Sequence, residues 1–316
     1  MLNFRILLLT LVWLALIEAR AICFAGEALV TNQPGDSLTI VDTATMAAQS
    51  EVKLSGKPAG IALSPDKAFA YVTAPDGQEI FEIDAAKRAV SRRLKLGGGP
   101  LGIAAHPVKA EIYVADWYAH KVIIVDTRDM KVAGEIAVGQ SPSGLAVTPD
   151  GALLLSADRD SNQVSIIDLK TRNVAAVVPA GERPFGITID ATGARAYTAN
   201  VGSDDVTVID IAARKAAGRV AVGRRPYAIA LAKGKAFVTD QYAGTITVFD
   251  ASSLQPLSVI EACDHPEGIE ATATEEQVFA ACWGDNLLIS IDTAALKITA
   301  KAKVGDGPRA FGRFLR

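Results

Sequence analysis

The sequence predicts an all-β chain, a seven-bladed β-propeller of four-stranded antiparallel blades whose ring is closed by the C-terminal strand completing the first blade. Two spacings and the pattern at the chain ends carry this reading. A proline recurs at Pro58, Pro100, Pro142, Pro184, Pro226, Pro266 and Pro308, at intervals of 42, 42, 42, 42, 40 and 42 residues. An aspartate ending a different apolar run recurs at Asp42, Asp84, Asp126, Asp168, Asp210, Asp250 and Asp292 with the same intervals, so two separate rulers return one repeat. The repeat region opens on a second-strand copy, A-L-V-T-N from Ala28, and ends on a first-strand copy, P-R-A-F-G-R-F-L from Pro308. The last segment can then lie beside the opening one, leaving no unpaired inner strand.

Each unit holds four runs of alternating apolar residues bounded by Gly, Pro, Asp and Ser, the period of a strand and not of a helix. The first is P-x-G-I-A. A turn such as S-P-D-K (Ser64 to Lys67) or T-P-D-G (Thr148 to Gly151) leads to the second, Y-V-T-A, Y-V-A-D or Y-T-A-N. The third is Q-V-S-I-I-D (Gln163 to Asp168) or D-V-T-V-I-D (Asp205 to Asp210), and the fourth is E-I-A-V-G or R-V-A-V-G. Proline presets the turn backbone, while Asp and Gly supply side-chain bonding and positive φ.

Composition agrees. Of 316 residues half are hydrophobic, only 6% are aromatic and 26 are Gly, which suits many short strands joined by tight turns. A net charge of -3 offers no basic field for nucleic acid or an anionic membrane. Residues 1–25 read as a secretory signal: Arg5 precedes an apolar run from Ile6 to Ile17, with cleavage expected after Ala21 or Ala25. That run is well short of the ~20 residues a membrane-spanning helix needs, so no stable membrane insertion is expected. Residues 26–316 form the propeller, and the mature chain is expected in the periplasm or outside the cell.

The strands Tyr71 to Ala74, Tyr113 to Asp116 and Tyr197 to Asn200, together with V-x-V-I-D and V-G-x-x-P-x-G-I-A, resemble the YVTN β-propeller family over about 290 residues. The resemblance implies export and binding far more than any reaction. Family members include exported bacterial propellers and archaeal surface-layer proteins; some stand beside quinoprotein or cytochrome systems, and more distant propellers are lactonases or amine dehydrogenase subunits.

In such a ring the loops entering the first strands and leaving the second strands crowd one mouth of the channel. The residues before the marker prolines are Lys57, Gly99, Ser141, Arg183, Arg225, His265 and Gly307, so this mouth can carry a positive collar, with Arg224 and Arg309 beside it. Solvated loop residues balanced by Glu182, Asp264 and Asp306 are the plainer alternative. The Pro266 repeat breaks the pattern most. It carries Glu270 where Ala62, Ala104, Ala146 and Ala230 stand in other copies, and it adds His265 and Glu267. A carboxylate on an inner strand is costly unless it meets water, a cation or another partner. Lys57, Arg183, Arg225, His265, Glu267 and Glu270 are therefore the candidate ligand-binding residues, with relaxed constraint on one blade the competing explanation.

Cys263 and Cys282 are the two cysteines left after cleavage at Ala25, an even count for an oxidising compartment, and a disulfide is expected between them. Free thiols and a Cys263, His265, Cys282 metal site are the alternatives, the latter without C-x-x-C or H-x-x-x-H spacing. His106 falls in a turn at the opposite face. Trp117, Tyr118, Tyr242 and Trp283 fall in loops after second strands, either packing between blades or forming a contact rim. Asp116, Asp158, Asn200 and Asp240 recur at second-strand ends, where an Asx-turn is expected. There is no C-x-x-C-H, G-x-S-x-G, Walker loop or dinucleotide fingerprint.

The expected function is a non-catalytic module binding a small anionic ligand or a periplasmic protein partner at the channel mouth; the residues name no cofactor. The alternatives are an enzyme, either a lactonase using His265, Glu267 and Glu270 or an accessory subunit of a quinoprotein dehydrogenase, and a metal or haem delivery protein.

Overall fold

The computed structural model describes residues 26–316; the predicted signal segment lies outside the described residues. Seven sheets follow one another along the chain. Blades 2 to 7 each run from inner to outer strand, with inner strands Gly60–Leu63, Pro100–Ala105, Pro142–Val147, Pro184–Ile189, Pro226–Ala232 and Pro266–Ala271. Blade 1 supplies its outer three strands, Glu27–Asn32, Ser37–Asp42 and Ala47–Lys53, from the N-terminal side. Its inner position is filled from the other end of the chain. Ala28 bridges Leu315 and Asn32 bridges Pro308, both antiparallel, and Leu29 N–H donates to Phe314 O at 2.9 Å. The ring is thus closed by the C-terminal segment.

Each repeat motif has a local reason. The third strand is buried between sheets, as in Lys121–Asp126, whereas the outermost alternates or is largely exposed, as in Ala89–Lys95, A-V-S-R-R-L-K. Charged outer strands blunt the rim against edge pairing. The core lies between blades: Val122 and Ile124 of blade 3 pack with Leu154 and Ile167 of blade 4. The glycine of P-x-G-I-A is set by the close approach of inner strands near the axis. A Cβ on Gly102 would stand 1.7 Å from the Ser143 carbonyl oxygen, and one on Gly144 2.4 Å from that of Phe185. Hydroxyls tie blade to blade as well: Thr73 donates to Leu101 O and Thr239 to Glu267 O, each at 2.6 Å.

The Asx residues at second-strand ends are buried, and they do more than shape a turn. Asp116 caps its turn by accepting from Tyr118 N–H and Ala119 N–H, and also accepts from Gly99 N–H in the loop entering the same blade. Asp158 takes Gly139 N–H at 3.0 Å and the hydroxyls of Ser156 and Ser165. In blades 4 and 5, as in blade 6, this bracket faces a glycine three residues before the marker proline, Gly139, Gly181 or Gly223, whose added Cβ would collide with the Asx side chain. His106, in the opposite-face turn, is structural. Its Nδ1 accepts from Val108 N–H and Lys109 N–H, so the proton sits on Nε2, which faces Gly151 O of the next blade at 3.2 Å. Burial pushes its pKa down.

Candidate functional site

The loops entering five of the six inner strands of blades 2 to 7 end in a left-handed residue immediately before the proline: φ is 61° at Lys57, 52° at Ser141, 56° at Arg183, 55° at Arg225 and 53° at His265. The side chains of this collar diverge. Lys57 turns to Asp36 (3.3 Å) and Pro34 O (3.1 Å), Arg183 is exposed, and His265 meets Asp264 at 2.5 Å between the rings of Tyr242 and Trp283. Of the candidate cations before the prolines, only Arg225 lines the cavity at the channel mouth.

That cavity, about 330 Å³, is built mainly from residues that follow four of the marker prolines and from the second-strand loops. Leu101, Phe185, Tyr227 and Arg309 all occupy the position following a marker proline and all line it, with Trp117, Tyr118, Arg159, Val201, Arg225 and Gln241. Phe185 and Tyr227 stand 4.8 Å apart between ring centroids, and Phe311 from the closing segment backs both, at 5.0 and 5.4 Å. Blade 1's inner segment thereby reaches rings of blades 5 and 6, so aromatic side chains floor the cavity. Trp117 meets Phe185 edge-on at 6.3 Å.

Three guanidiniums line the wall and no carboxylate does. Arg159 lies over Trp117 at 5.4 Å and pairs with Asp160 at 2.6 Å. Arg309 lies over Tyr227 at 5.7 Å and donates through Nε to Glu267 at 2.8 Å. Burial works against its charge, and the Glu267 carboxylate beside it favours it. Arg225 differs: it lies over Tyr242 at 4.7 Å and its Nε donates to the neutral Gln241 amide oxygen at 2.7 Å, with no carboxylate against it among the described residues. Gln241 in turn donates to Glu267 at 2.6 Å. The chain Arg225, Gln241, Glu267, Arg309 is one network around a single buried carboxylate. Tyr227 is 3% exposed, its hydroxyl has no hydrogen-bond partner among the described groups, and burial holds its pKa well above the ordinary tyrosine value.

The three acid and histidine candidates do not share one partner. Glu267 sits behind the cavity and orients Arg309 and Gln241. Glu270 accepts from Arg313 Nε (2.7 Å), Phe314 N–H and Leu315 N–H (2.7 Å), so its carboxylate is occupied by the closing segment. His265 stays at the rim. Cys263 and Cys282 form a disulfide with Cα atoms 5.9 Å apart, so neither thiolate is available to a metal. Among the described residues no cluster of three or more His, Cys, Asp or Glu is arranged to hold a metal ion, and no helix is long and apolar enough to cross a membrane.

The charged positions before the prolines contribute Arg225 to the cavity and none of its floor. The usable signal lay one step further on: the residues after the prolines run Ala59, Leu101, Ser143, Phe185, Tyr227, Glu267 and Arg309, changing from small to aromatic to charged around the ring.

No family model matches the chain, and no curated protein matches it. Solved structures do. A hydrazine synthase structure from Kuenenia stuttgartiensis aligns with a TM-score of 0.76 at 19% identity, over 85% of this chain and 96% of that one. The chain is a seven-bladed β-propeller. A functionally unknown protein from Desulfotomaculum acetoxidans DSM 771 aligns at 0.77 and 16%, over 90% and 99%. Dihydro-heme d1 dehydrogenase NirN in complex with DHE aligns at 0.68 and 15%, over 89% and 74%. At these identities the likeness is one of fold.

Proposed function

We propose that this propeller is an exported, non-catalytic binding protein of the YVTN type that holds a small anionic ligand in the cavity at its channel mouth. The observation that carries the reading is the convergence of Arg159, Arg225 and Arg309 on one aromatic-floored cavity whose lining includes no carboxylate. Asp160 and Glu267 answer two of these charges, and Arg225 keeps its terminal N–H groups for a guest. A planar guanidinium donates two parallel hydrogen bonds to a carboxylate or similar oxyanion, and a partly enclosed site strengthens them. Export is supported by the apolar N-terminal segment and by the disulfide, a bond that persists in oxidising compartments.

Calorimetric titration with acetate, benzoate, sulfate and phosphate tests the site. At least one anion should bind, and Arg225→Gln should weaken it about tenfold or more, since a charge-assisted pair of hydrogen bonds contributes about 1.5–3 kcal/mol each way it is lost. Binding indifferent to Arg225 would reject the site. N-terminal sequencing of protein from a fractionated cell tests export: an intact Met1 in the cytoplasmic fraction would reject it.

A further inference from the structure

We infer that the cavity selects a planar aromatic monocarboxylate of about one or two rings. This rests on the anion-site reading above and names the class of ligand.

The walls decide shape. Phe185, Tyr227 and Trp117 present flat faces or edges to the same space, with interplanar angles of 48° and 61° between neighbours. Arg159 and Arg309 stack on two of these rings, so even the charged wall is planar. An inorganic anion would satisfy the guanidiniums but leave the aromatic floor against water. An aliphatic acid would cover the floor without the face and edge contacts that ring pairs favour. A flat aromatic body with its carboxylate at the Arg225 side meets both demands.

The charge count decides valence. Arg159 and Arg309 are already paired with Asp160 and Glu267, and Arg225 alone lacks a carboxylate partner among the described residues, which matches one negative charge. The volume, about 330 Å³, stands at the small end of ligand pockets.

The experiment uses the mature full-length protein and four probes: 2-naphthoate, benzoate, cyclohexanecarboxylate and sulfate. Affinities come from calorimetry, with Trp117 fluorescence as a second readout that Trp117→Phe should abolish. 2-Naphthoate should bind at least about tenfold tighter than cyclohexanecarboxylate, and Phe185→Leu should erase that preference, with its circular dichroism spectrum and melting temperature reporting that the variant is folded. Equal affinity for the aromatic and saturated acids would overturn the aromatic class and leave the anion site standing. Absence of binding by all four would overturn both. Retention of the preference in Phe185→Leu together with an unaltered Trp117 signal would place the ligand elsewhere and refute the inference.

Discussion

Glu270 fastens the ring, and its removal should be felt as lost closure. Its carboxylate is almost fully buried on the inner strand of blade 7 and accepts from the backbone amides of Phe314 and Leu315 and from Arg313 Nε. Glu270→Ala leaves two buried amides without an acceptor, each costing about 1–3 kcal/mol, so the variant should lose about 2–6 kcal/mol. The Arg313 side chain is 82% exposed, and its share is about 0–1 kcal/mol. The expected order of damage is therefore Arg313→Ala, then Glu270→Gln, which keeps one acceptor oxygen, then Glu270→Ala. With about 2 cal/mol/K of unfolding entropy per residue, a chain of this length loses about 1.5–2 °C per kcal/mol, so Glu270→Ala should melt about 3–12 °C lower. Hydrogen exchange localises the effect: the amides of Phe314 and Leu315 should exchange faster while those of the blade 4 strands do not. A Glu270→Ala protein with unchanged melting and protected terminal amides would refute the clamp and return Glu270 to the list of ligand residues.

Two other perturbations test the scaffold. Cys263 stands at the position of Gly139, Gly181 and Gly223, and Cys282 at that of Asp158, Asn200 and Asp240, so the disulfide replaces the polar bracket of the other blades. Reduction should cost about 3 kcal/mol for a loop of this span, and the Cys263→Gly, Cys282→Asp double variant should recover about 1–2 kcal/mol relative to a Cys263→Ala, Cys282→Ala pair in melting experiments. Burial raises the Asp240 pKa to about 6, with one of its oxygens unpartnered. The folded state therefore binds this proton more tightly than the unfolded chain, and stability should fall by about 1–3 kcal/mol as pH rises from about 4 to above 6. Asp240→Asn, the residue that blade 5 carries at Asn200, should flatten that slope and be the more stable protein at pH 7.5; an unaltered slope would show that Asp240 does not set it.

The architecture was legible because its cause is local and repeated. Every marker proline opens an inner strand or the closing segment, or in the case of Pro58 stands two residues before it, and every P-x-G places a glycine where the next blade's backbone leaves no room for a Cβ. The disulfide was legible too, since hairpin register puts Pro266 opposite Cys282 and so brings the loop holding Cys263 alongside. The site was only half legible. The charged collar positions share a backbone conformation, yet Lys57 and His265 find partners in their own or adjoining loops, and nothing in the spacing of charges foretells this. Glu270 looked like a ligand residue because a carboxylate on an inner strand demands a partner. The partner is backbone 44 and 45 residues further along, brought there only by closure.

The two glutamates of the blade 7 inner strand then have a single physical origin, since Glu267 and Glu270 both grip the segment from Arg309 to Leu315 that fills the inner position of blade 1. That same segment delivers Arg309 to the cavity wall and Phe311 to the back of its floor. Closing the ring and completing the cavity are one event, so binding and closure are thermodynamically linked: a ligand that binds only the closed state stabilises it by the amount its affinity exceeds that for the open one. A saturating aromatic carboxylate should slow exchange at the Phe314 and Leu315 amides, and Glu270→Ala should weaken its binding although Glu270 does not line the cavity. If the ligand leaves terminal exchange unchanged and binds Glu270→Ala as tightly as the native protein, the segment is a fastening alone, and the cavity must stand without it.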